Sequence, residues 1–184
     1  MVSSAPSAGK PGRYERSSNG LVGAMVILVL VILAFVGFRA LFRGNQDDPV
    51  PTVAYRGAVT QARQDGALAP APEPMPSGWR ATSVRYQAGK RATWHLGLLT
   101  GGGGYVGIEE AHARATKLVD AYLGSGSTQG RARQLAGRTW QTWRDGSAYA
   151  LTWTGGGRTV FVGGKAGEKA VVELVGVLGF GGTG

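Results

Sequence analysis

The side chains able to do chemistry are few. The chain has two histidines, His95 and His112, and no cysteine, so thiol nucleophiles, disulfides and thiolate metal sites are excluded. His95 stands in Trp94-His95-Leu96-Gly97-Leu98, an alternating run that puts it on the strand face opposite the apolar residues. His112 sits beside a helical apolar stripe, a rim position. Neither has a partner at metal-ligand spacing. No serine occupies a Gly-x-Ser-x-Gly elbow, and no acidic cluster suggests metal-assisted hydrolysis. Gly101–Gly104 lacks the Lys-Ser/Thr of a phosphate loop and leads into a strand, so it reads as a hairpin connection.

One pairing is sharper. Setting Leu98 opposite Val106 and Leu96 opposite Ile108 makes two apolar faces coincide, and a one-residue slip would turn one set outward. That register places His95 opposite Glu109, where a carboxylate beside an imidazole favours the charged ring. Tyr105 and Phe161 fall on the same phase. His95, Tyr105 and Glu109 are therefore the candidate patch on a free sheet face. No residue is assigned to catalysis, a cofactor or a metal.

The elements that position this patch are legible from periodicity. Thr82, Val84 and Tyr86 alternate on a first strand, Trp94, Leu96 and Leu98 on a second, and Val106 and Ile108 on a third. Ala111, Ala115, Leu118, Val119 and Tyr122 then follow a helical period, with Glu109 and Glu110 expected near its start and Gly124 as its stop. The order recurs: Thr139–Arg144, then Tyr149, Leu151 and Trp153, a glycine turn at Gly155–Gly157, Val160 and Val162, and a helical stripe of Ala170, Val171, Leu174, Val177 and Leu178. Val106/Ile108 and Val160/Val162 lie 54 residues apart, which suggests a duplicated βββα unit. The expected fold is α+β, an antiparallel sheet with two helices on one face. Trp140 and Trp143 cannot both point inward on one regular strand, so one is expected to be exposed or to flank a bulge.

Before this domain, Leu21–Phe38 runs eighteen residues without a charge. Extended through Phe42, it is long enough for a transmembrane helix, and no small-x-small cleavage site follows it. The expected organisation is a disordered basic tail (1–20), a transmembrane helix (21–42), a juxtamembrane stretch (43–78) and an α+β domain (79–184). The juxtamembrane stretch would hold a short helix on Tyr55, Ala58, Val59 and Ala62, then a proline-rich spacer. Charge flanking the span is balanced, and the shortness of the tail favours an inside tail and an outside domain.

The net charge is +9, but the basic residues are spread through every segment, and Arg outnumbers Lys 15 to 5. Such a distribution does not mark a nucleic-acid surface. Trp140, Trp143 and Trp153 could stack on bases, but Trp153 falls on the core face with Tyr149 and Leu151 and reads as a packing residue. No nucleic-acid partner and no cofactor are expected.

The segments Trp79–Tyr86, Thr93-Trp94-His95-Leu96-Gly97 and Gly104-Tyr105-Val106-Gly107, with acidic residues following, resemble the family called domain of unknown function 4245. The resemblance covers nearly the whole chain after residue 20. It implies an actinobacterial single-pass membrane protein with the domain outside the cytoplasm, and it carries no activity or site residues to transfer. Three readings result. The first is a membrane-anchored, extracytoplasmic, non-catalytic module that binds a cell-envelope protein or ligand and is held in the lipid bilayer through Leu21–Phe42. The second is a cell-surface hydrolase using His95 and Glu109. The third is a domain docking on anionic lipid.

Overall fold

The computed structural model describes residues 51–182, which fall in one compact unit. The basic tail and the apolar run Leu21–Phe42 lie outside the described residues. Among the described residues, no helix is long and apolar enough to cross a membrane.

The chain forms α1 (Arg56–Gln64), β1 (Ala71–Pro72), β2 (Arg80–Gln87), β3 (Thr93–Leu99), β4 (Tyr105–Ala111) and α2 (Ala115–Tyr122). It continues with β5 (Thr128–Gln129), β6 (Arg133–Leu135), β7 (Arg138–Asp145), β8 (Ala148–Gly155), β9 (Arg158–Gly164), α3 (Gly167–Gly176) and β10 (Leu178–Gly179). An antiparallel sheet runs in the order β2-β3-β4-β9-β8-β7-β5, with β6 beside β7 and β1 paired separately to β10. The fold is α+β. Two three-stranded meanders meet at the centre, where Ile108 lies directly opposite Val162. Since these positions are the two related by the 54-residue offset, a local twofold axis normal to the sheet relates the meanders.

The helices break that symmetry and correct the expectation that both lie on one face. Leu118 and Val119 of α2 pack with Phe161, Ala150 and Trp143. Val171, Leu174 and Val175 of α3 join the larger core with Val160, Val162 and Leu151. Residues 160, 161 and 162 alternate between faces, so the two helices cover opposite sides of β8 and β9. The reason lies in the strands themselves. Besides the Val and Leu phase, the other phase of β7–β9 holds Trp143, Ala150 and Phe161, an apolar set that also must leave water. For the same reason Trp140 and Trp143 are both buried, one in each core, without a bulge between them. Phe161 belongs to the α2 core and to no free face.

The stretch expected as a spacer is built into the larger core. Tyr55 at the start of α1, Val59 and Ala62 within it, and Ala67, Ala69 and Ala71 after it, are buried. Trp94 Nε1 donates to the Pro70 carbonyl at 3.0 Å, and the Glu73 amide donates to the Val177 carbonyl at 2.8 Å. A proline-rich chain is extended; here that extended run covers β3 and β4. Leu178, expected on the last helical stripe, instead pairs with Pro72 in the small β1–β10 sheet.

Connections follow local chemistry. β8 and β9 are joined through Gly156 and Gly157, both at positive φ, as a tight hairpin requires. The Thr100–Gly104 loop closes on itself, with the Thr100 amide donating to the Gly104 carbonyl at 2.9 Å and the Gly104 amide donating to Thr100 Oγ1 at 3.0 Å. A register shift between Ala81 and Ser83 moves Ala81, rather than Thr82, opposite Leu98.

Candidate functional site

Outside the reach of α2, the second face of the sheet is polar over β2, β3 and β4. Ser83 pairs with Gly97 and Arg85 with His95 across β2–β3, while Gly97 pairs with Gly107 and His95 with Glu109 across β3–β4. Alternation puts all six residues on one face.

His95 Nδ1 lies 2.5 Å from Glu109 Oε1, and His95 Nε2 lies 2.9 Å from Ser83 Oγ. In the tautomer with its proton on Nδ1, the ring donates to Glu109 and Nε2 accepts from the serine hydroxyl. Both ring nitrogens are thus engaged and the imidazole is fixed in orientation. Glu109 is only 4 % exposed, which corrects its place on a solvated face, and the His95 side chain is 12 % exposed.

Two tyrosines frame this chain of groups. The Tyr105 hydroxyl lies over Gly97, 2.9 Å from where a Cβ at that position would stand, and Ser83 Oγ occupies the same space. The facing glycines are therefore what lets the phenol and the serine hydroxyl share the floor of the site. Tyr105 remains 41 % exposed. Burial pushes its pKa up, the Glu109 charge adds to that, and Arg85 and Ser83 oppose it. From α2, Tyr122 stacks on Phe161 at 5.7 Å between ring centroids. Its pKa is also raised, first by burial and then by the nearby Glu109 carboxylate. Both phenols therefore stay protonated at neutral pH. A groove of about 660 Å³ opens beside the pair, with Arg85, Thr93, His95, Glu109, Leu118 and Tyr122 on its walls.

The structure brings His95 and Glu109 together in the register that their apolar neighbours require, with Tyr105 beside them. His112 stays apart, exposed, with Nδ1 3.2 Å from the Gly157 carbonyl oxygen. Among the described residues, no three His, Cys, Asp or Glu side chains form a metal-binding group.

Sequence reasoning missed Ser83, although alternation on the first strand already set it on the His95 face. The register of β2 on β3 was the missing piece. It also missed the role of Glu110. Neither Glu109 nor Glu110 opens the helix; both lie within β4, and two successive strand residues point to opposite faces. Glu110 turns into the larger core, where it accepts from the Ala69 amide at 2.8 Å, the Leu68 amide at 3.1 Å and Arg158 Nη1 at 2.5 Å. Two adjacent acids on a strand flanked by apolar residues were the available signal.

Fold and site together define a small α+β domain with a polar, half-covered sheet face built on a Ser83–His95–Glu109 chain. The chain belongs to the family described as Protein of unknown function (DUF4245), whose model matches residues 13–178. No curated protein matches it.

Proposed function

We propose that the protein is a membrane-anchored module, held in the bilayer by Leu21–Phe42, whose domain works outside the cytoplasm by binding a ligand or cell-envelope partner through the His95 face. The observation behind the binding reading is the contrast between the two halves of that face. Over β7–β9 it is apolar and roofed by α2; over β2–β4 it is polar, glycine-floored and open at Tyr105 and the groove. The other side places most of its residues in the larger core. Anchoring and orientation rest on the eighteen uncharged residues and the short basic tail.

Two experiments test this. Protease added to intact, wall-stripped cells should remove the domain, and protection until lysis would reverse the orientation. Partner capture from the protein's own membrane should be weakened together by His95→Ala and Glu109→Gln. If both variants retain capture by the wild-type amount, the binding surface lies elsewhere.

A further inference from the structure

We propose that Ser83 is an activated nucleophile and that the His95 face carries out acyl transfer on an ester; this rests on the reading of that face as the working surface. A serine hydroxyl is a weak nucleophile at its ordinary pKa and needs an adjacent base, itself oriented by a third group. Two contacts supply that sequence: Ser83 Oγ to His95 Nε2 at 2.9 Å, and His95 Nδ1 to Glu109 Oε1 at 2.5 Å. The order of atoms is the one that general-base activation demands, with the carboxylate on Nδ1 and the hydroxyl on Nε2.

The remaining parts of an acyl-transfer site are also present. Tyr105 brings a hydroxyl to the space over Gly97 that Ser83 Oγ shares, where it can donate to an oxygen that gains charge. Gly97 and Gly107, lacking side chains, are what leaves room there for the Tyr105 ring and the serine hydroxyl. The groove reaches the general base rather than the nucleophile: His95 and Glu109 stand in its wall with Arg85, Leu118 and Tyr122, and an ester bound at Ser83 would border it through the His95 ring.

The step balances as follows. Ser83 Oγ bonds to the ester carbonyl carbon while its proton passes to His95 Nε2, and the carbonyl electron pair moves to the oxygen facing Tyr105. Collapse breaks the bond to the alkoxy group, which leaves as an alcohol with the proton from His95. Water from the solvent then attacks the acyl-serine by the same route in reverse, releasing a carboxylic acid and restoring the hydroxyl. Ser83 and His95 are the catalytic residues, and Glu109 is a positioning residue.

The test is a biotinylated fluorophosphonate added to the full-length protein in its native membrane. The probe phosphorylates an activated serine with loss of fluoride. The wild type should be labelled, with the modified peptide mapping to Ser83, and Ser83→Ala should abolish labelling. His95→Gln should slow labelling by about 10²–10⁴-fold. Glu109→Gln should lower the maximal labelling rate by roughly 10²-fold or more while leaving the half-saturating probe concentration unchanged, a split that mere loosening of the face would not give. A folded wild type that stays unlabelled, or a label mapping to another residue, overturns the proposal, and mapping on the wild type needs no variant to fold. Absent labelling with partner capture still sensitive to His95→Ala would overturn the nucleophile and leave the binding reading standing. Labelled Ser83 with insensitive capture would do the reverse.

Discussion

Replacing Glu110 by alanine probes the joint between the N-terminal segment and the sheet. The Glu110 side chain is 1 % exposed and accepts from three donors, the Ala69 and Leu68 amides and Arg158, whose Nη2 in turn donates to the Gly66 carbonyl at 3.0 Å. Alanine strands two amides and one arm of the guanidinium next to a void the size of the lost carboxylate. Removing one member of a buried ion pair costs about 3–5 kcal/mol, and each stranded amide about 1–3 kcal/mol. These are not summed, because Arg158 keeps 20 % of its side chain in water and the void admits solvent. The expected loss is about 3–4 kcal/mol, a large share of the roughly 5–15 kcal/mol that holds a small domain together. Glu110→Gln retains one acceptor oxygen and should lose about half of that. Urea unfolding of the full chain, followed by tryptophan fluorescence, reads the domain alone, since all five tryptophans lie between residues 79 and 153. With a slope of roughly 1–3 kcal/mol per molar urea, the alanine variant's midpoint should fall by about 1 M or more. Thermolysin should also begin to cut near Leu68. A loss under about 1 kcal/mol with residues 66–70 still protected would show that apolar contacts alone hold the segment and that the carboxylate is incidental.

Three further outcomes follow from packing and charge. Leu174→Ala, at a fully buried position in the larger core, should cost about 2–5 kcal/mol in the same assay, and Leu118→Ala, in the smaller core and 7 % exposed, should cost less; equal, negligible losses would mean that neither helix packs as described. Gly164→Ala should destabilise by about 1–3 kcal/mol, because a Cβ there meets the Tyr105 carbonyl of the neighbouring strand, backbone that has little room to yield; a neutral variant would show that β4 and β9 are looser than drawn. The Arg144 and Arg133 guanidiniums hold Glu168 below the usual carboxylate range against the opposing effect of its burial. A depressed folded-state pKa adds stability that is complete above the ordinary carboxylate value and disappears as pH falls through the folded one. The stability gap between wild type and Glu168→Gln should therefore be present at neutral pH, stay under about 1 kcal/mol for so exposed a network, and close in acid; a gap that is constant with pH would refute it.

Period-two alternation sufficed for the strands of both meanders, for the register that sets His95 against Glu109, and for the glycine hairpins. Those are local facts, because a strand's faces and a hairpin's turn are written within a dozen residues. The helix on Tyr55, Val59 and Ala62 was equally legible. What covers what was not. Alternation says which residues share a face but not how many faces are buried, so Phe161 read as a free-face residue and one of Trp140 and Trp143 as exposed, although α2 buries the second face. The segment 70–76 looked like a spacer because its buried residues are alanines and prolines, whose small apolar area gives little signal. Only the tertiary structure shows Pro70 accepting from Trp94, next to the Leu68 and Ala69 amides pinned by Glu110. Ser83 entered the site for the same reason: the pairing of β2 with β3 is a contact between segments, set by the packing of both faces at once, and no single stretch of sequence encodes it.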